Sequence, residues 1–179
     1  GPLFGVTSLE TTGYLLSPET YAEEFEIHGG SHPEWTQGFA LPWAAEFYVN
    51  RAPVVVWDEA VSENDRIAWL GEHVQEVTET TTAHELTHVA LGSLDLPRWM
   101  DEGLAQHVES LVTPGRSVNR QLWQQRFRVR DAIIHDLVPV EELLSADWIA
   151  AAGNLEEFSL LYKISALIVR LISETSGDE

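Results

Sequence analysis

The chain has 179 residues, is 44% hydrophobic and carries a formal charge of −19, which is enough chain to bury one core and too little for two ordinary domains. That acidity excludes nucleic acid as a partner, because a phosphate-binding surface needs clustered Lys and Arg to release counterions, and it disfavours anionic membranes. There is no cysteine, so disulfides, thiolate metal ligands and a cysteine nucleophile are excluded together, and any metal must sit on His and carboxylates.

Taken in chain order, the N-terminus lacks a basic segment followed by an apolar one, and no run of about 18 apolar residues occurs, so neither a signal peptide nor a membrane span is expected. Gly1-Pro2 reads as the remnant of a cleaved expression tag, ahead of which a targeting sequence has room. Localisation stays open on these residues, with a soluble extracytoplasmic domain favoured. Thr12 to Ser17 reads as a short strand. Ser17-Pro18-Glu19 then starts a helix, with a hydroxyl cap, Pro at the first helical position and an acid suited to the helix dipole; it is expected to run to about Ile27. His28 to Pro33 is a loop. Strands follow at Gln37 to Leu41, Ala45 to Asn50 and Val54 to Trp57, punctuated by Pro42 and Pro53, which favour an edge position or a strand start over a central strand because Pro cannot donate to a ladder.

From about Glu63 the apolar residues recur at three- and four-residue steps up to Gly92, a C-cap. The β-branched run Thr78 to Thr82 is poorly suited to a helix interior, so two helices are expected, the second starting near Thr81. Leu96-Pro97 opens another helix through Glu109, ended by the turn Thr113-Pro114-Gly115. Further helices are expected near Val118 to His135, Val140 to Leu144 and Leu155 to Thr175. Strands first and helices after make an α+β fold in a single domain, residues 1–179, strand-rich to about residue 60 and helical from about 61. Half of the ten basic residues are Arg116, Arg120, Arg126, Arg128 and Arg130; this strip reads as a solvated helix face, with contact to an acidic partner as the alternative.

The chemistry concentrates at His84-Glu85-Leu86-Thr87-His88. On a helix, residues four apart share a face, so both imidazoles can converge on one ion, while Glu85 lies on the adjoining flank, able to reach a water on that ion without being a ligand. Zinc lowers the pKa of such a water to about 7, and a neighbouring carboxylate can take its proton as it attacks a carbonyl. A catalytic zinc needs a third protein ligand and an open position. Glu102, near the start of the helix after Pro97, is the candidate, with Asp101 and Asp95 as rivals; Gly103 would leave room for close helix approach at the metal. His135, His107 and His73 are weaker candidates to meet the charge of an oxyanion, a lone helical His being more often structural or exposed, and His28 and His32, flanking a loop, could bind a surface metal.

His84-Glu-Leu-Thr-His-Val-Ala-Leu-Gly92 followed by Leu96-Pro-Arg-Trp-Met-Asp-Glu-Gly-Leu-Ala105 resembles the gluzincin metallopeptidases, especially the small peptidase-MA-like proteins. In these a helical H-E-x-x-H precedes a W-x-x-E-G-x-A segment whose Glu is the third ligand. The resemblance implies a zincin-like fold, with a small mixed sheet and its edge strand packed on a helical metallopeptidase core. It also implies one Zn2+ on His84, His88 and Glu102, Glu85 as general base, and hydrolysis of peptide bonds in a peptide or protein substrate. Phe158-Ser-Leu-Leu-Tyr-Lys-Ile-Ser165 is similar to the C-terminal helix of the family, which makes Tyr162 the expected oxyanion stabiliser; a core Tyr bonded to backbone is the alternative. Ala45 to Asn50 or Val54 to Trp57 would be the strand beside which substrate lies. The chain departs from the pattern at Gln106, where other gluzincins carry an Asp that bonds a ligand histidine; an amide accepts that bond without charge. The metzincin pattern fails, since its third His would fall at Leu94. The competing reading is a catalytically silent or self-inhibited metal-binding module on the same fold, acting in protein binding or regulation. A third, a helical domain with an accidental His pair, predicts no metal at all.

Overall fold

The computed structural model describes residues 10–30, 36–51, 62–112 and 155–176. Among them are three strands in one mixed sheet and four α-helices, an α+β arrangement. The chain divides into two compact units, Gly1–Ser93 and Leu94–Glu179.

In the first unit, β1 (Thr12–Leu16), β2 (Gly38–Leu41) and β3 (Glu46–Asn50) form a sheet in the order β1-β3-β2, with β1 parallel and β2 antiparallel to β3. The expected strands are there, but Ala45 to Asn50 is not an edge: β3 is paired on both sides. Pro42 does not push it outward, because Pro42–Ala44 forms a turn of 3-10 helix ahead of the strand. Ala45, in the left-handed region at φ 54°, closes that turn, and its carbonyl accepts from Thr12 N–H and Thr11 Oγ1. The expected strand Val54 to Trp57 lies outside the described residues.

Helix α1 (Pro18–Ile27) begins as its caps dictate, the Ser17 hydroxyl accepting from the Thr20 N–H. It ends at Gly29, whose φ of +86° glycine adopts without steric cost. Alternation along the strands gives the sheet two apolar faces. On one, Tyr14, Tyr48 and Phe39 lie in register across the three strands with rings stacked 4.8 and 4.5 Å apart, and Tyr21 and Phe25 of α1 pack on them with Leu16 and Leu41. On the other, Phe47 and Val49 meet Val89, with Leu86 beside them.

Val89 and Leu86 belong to α2 (Glu63–Leu91), a single helix of 29 residues where two were expected. The threonines are absorbed rather than breaking it. Thr78, Thr80 and Thr87 each donate to the carbonyl four residues back, which removes their competition for backbone groups, and Thr80 and Thr81 are buried, so packing overrides propensity. Gly92 follows the last turn and lies against Pro42, where a Cβ would collide.

The second unit contains α3 (Arg98–Val112) and α4 (Leu155–Ser176). Helix α3 starts after Pro97 as expected but continues three residues beyond Glu109. Its buried Gly103 meets the Ser165 carbonyl and Val169 of α4, so the close approach that glycine allows is to α4. The expected helices Val118 to His135 and Val140 to Leu144, and the arginine strip, lie outside the described residues. No described helix is long and apolar enough to cross a membrane.

Candidate metal centre

The continuity of α2 sets the spacing of the motif. His84 and His88 sit one turn apart with ring centroids 4.9 Å apart and planes at 72°, and Thr87 is tied back to Ala83. His88 and Glu85 are buried, as is Val89 on the sheet-facing side. On α3, Glu102 is 1% exposed, and its Oε1 lies 2.6 Å from Nη2 of Arg98. Ligand atoms of His84, His88 and Glu102 all lie within 4.8 Å of one another, a group that can hold a metal ion.

The donor set suits zinc. Two imidazole nitrogens and one carboxylate oxygen are one of the ligand sets zinc takes, and a tetrahedral ion with bonds of about 2.0–2.2 Å spaces its ligand atoms by roughly 3.4 Å, inside the 4.8 Å that spans this group. The rivals fare differently. Asp101 is half-buried with its carboxylate 3.8 Å from Arg98 Nη1, and Asp95 is exposed; neither joins the group. Comparison with family models, with curated proteins and with solved structures finds no match. The residues themselves therefore carry the functional argument.

Glu85 is held from the sheet side. Gly38, the first residue of β2, stands against it: a Cβ there would lie 2.7 Å from Oε1 and 2.8 Å from Cγ of Glu85. Tyr21 is close enough to feel the same carboxylate. Burial pushes its phenol well above the ordinary value, the Glu85 charge adds to the effect, and a hydrogen bond to Thr36 Oγ1 at 3.0 Å opposes it. Tyr162 lies half-buried on α4.

The lesser histidines divide. His28 packs its ring 6.0 Å from those of Phe39 and Tyr48 and pairs with Glu24, a structural setting. His107 is half-buried on α3; His32 and His135 lie outside the described residues. Trp43 is 80% exposed on its turn and Trp99 is half-buried.

Two contacts were missed from the sequence. Arg98 precedes Glu102 by four residues, a spacing that signals a helix-face contact and was there to be read. The approach of Gly38 to Glu85 depends on how β2 lies over α2, and no local pattern announces it.

Proposed function

We propose that this chain is a zinc-dependent peptidase of the gluzincin type, with His84, His88 and Glu102 holding one Zn2+, Glu85 as general base and Tyr162 meeting the charge on the substrate carbonyl oxygen. The observation that carries the reading is the His-His-Glu group with a buried carboxylate one position after its first histidine. When bound, zinc supplies a Lewis acid and brings water to a pKa of about 7. Glu85 takes up the proton released as water adds to the peptide carbonyl and passes it to the departing amine, so that the C–N bond breaks to give an acid and an amine. Tyr162 donates from its hydroxyl to the developing oxyanion.

The substrate of this reading is a peptide in extended form. With β3 paired on both sides and Val54 to Trp57 outside the described residues, β2 takes the place of Ala45 to Asn50: it pairs only with β3 among the described strands, and its Gly38 lies against Glu85. A peptide added beside β2 takes its affinity from backbone hydrogen bonds.

Burial of Glu85 under Gly38 favours a second reading, a silent or self-inhibited metal-binding module engaged in protein binding, because a base must reach water to work. Two measurements decide. Elemental analysis should find about one zinc per wild-type chain and none in His84→Ala; a wild type without metal removes both readings. Cleavage of a peptide library should then be lost in Glu85→Gln with zinc retained. Zinc without cleavage selects the silent module, and equal cleavage by the two proteins refutes the role of Glu85.

A further inference from the structure

Glu102 is a carboxylate with almost no contact with solvent, 1% exposed, and its Oε1 is 2.6 Å from the Nη2 of Arg98, a side chain 45% exposed. The bland account of this contact is an ordinary pair along one helix, and the position of Arg98 argues against it. Arg98 is the first residue of α3, where the positive end of the helix dipole disfavours a cation, and a base four residues before an acid is the weaker order for a helix pair. Helix stability alone would place the two charges the other way round.

What Arg98 does supply is orientation. A guanidinium donates in a rigid planar fork, so with Oε1 fixed, the plane of the Glu102 carboxylate and the direction of its second oxygen are fixed as well. The other nitrogen of the fork, Nη1, is 3.8 Å from Asp101, which steadies the guanidinium from the surface side. We propose that Arg98 is a positioning residue for the metal centre, holding the Glu102 carboxylate in the orientation a metal ligand requires before the ion arrives. This rests on the reading of His84, His88 and Glu102 as a zinc site.

Arg98 and zinc are both cations, so their repulsion opposes the effect. With the guanidinium nearly half in solvent, that repulsion is screened by water and salt, whereas the hydrogen bond to a buried oxygen is not. Orientation therefore outweighs repulsion, and loss of Arg98 weakens metal binding.

The test is a competition titration of zinc against a chromophoric chelator on the metal-free full chain, for wild type, Arg98→Ala and Arg98→Lys, with circular dichroism to establish that each is folded. Arg98→Ala should bind zinc about 10–100-fold more weakly, the range typical for losing a group that holds a metal ligand. Lys keeps the charge without the fork, so Arg98→Lys should recover only part of the loss. Equal or tighter binding by folded Arg98→Ala overturns the inference while leaving the zinc site intact. If Arg98→Ala does not fold, Arg98→Lys decides alone: affinity equal to or tighter than wild type overturns the inference, and weaker affinity supports it. A wild type that takes up no zinc overturns the inference together with the reading beneath it.

Discussion

Gly38 and Glu85 are fitted to each other: the glycine at the start of β2 leaves the space that the carboxylate of the motif helix occupies, and a Cβ would come within 2.7 Å of its Oε1. Cγ of Glu85 and Cγ2 of the buried Thr81 stand at 2.8 Å as well, so Gly38→Ala should displace the carboxylate and press β2 away from the motif helix at Thr81. On the proposed peptidase reading, zinc content should stay at wild-type level while kcat falls by up to the ~10²–10⁴-fold that a general base supplies. Steady-state kinetics beside metal analysis checks this, and an unchanged kcat would separate Gly38 from the chemistry.

The neighbours Asp101 and Glu102 should respond oppositely. Glu102→Ala removes the buried carboxylate proposed as a ligand and should abolish stoichiometric zinc binding. Asp101→Asn changes a carboxylate that stands at 3.8 Å from Arg98, and its zinc affinity should stay within about 10-fold of wild type, less than the loss expected of a metal ligand. Isothermal titration of the two variants would expose a wrong ligand assignment if their behaviour were reversed.

Helices α3 and α4 meet backbone to side chain at Gly103. A Cβ there would lie 2.5 Å from Val169 Cγ2 and 2.6 Å from the Ser165 carbonyl oxygen, and the carbonyl cannot step aside. Overpacking of this kind costs about 1–3 kcal/mol, so Gly103→Ala should lower Tm by roughly 2–12 °C at the ~2–4 °C per kcal/mol expected of a chain this size. Calorimetry on the metal-free protein measures it; an unchanged Tm would mean that the helices pack differently.

Tyr21 makes a prediction at alkaline pH. Burial and the Glu85 charge raise its folded pKa, so above about pH 10 the unfolded chain releases a proton that the native protein keeps. The stabilisation is complete below that pH and is lost as pH rises through the folded value. Urea midpoints should therefore fall more steeply above pH 10 in wild type than in Tyr21→Phe, and parallel curves would dismiss the effect.

What was legible in the sequence was whatever local chemistry decides. Ser17-Pro18 announced the start of α1, Pro97 that of α3, and the apolar alternation placed β1, β2 and β3 to within a residue or two. The His-Glu-x-x-His spacing and the glutamate after Pro97 picked out His84, His88 and Glu102, the three residues that the structure groups together. What failed was tertiary. The threonines of α2 read as a break because their propensity is poor, yet the i−4 hydrogen bonds and the burial of Thr80 and Thr81 keep the helix whole. The central place of β3 was hidden because Pro42 speaks only for its own turn and not for which strands pair.

That central place bears on how the molecule is made. Both pairings among the described strands run through Glu46–Asn50, so neither can begin while the growing chain is still short of residue 46. The antiparallel partner, close by along the chain, closes a small loop and should zip up first, while the strand synthesised earliest has the longer loop to close. The oldest segment of the sheet is thus the last to be incorporated, and until then its Tyr14 and Leu16 stay open to other chains.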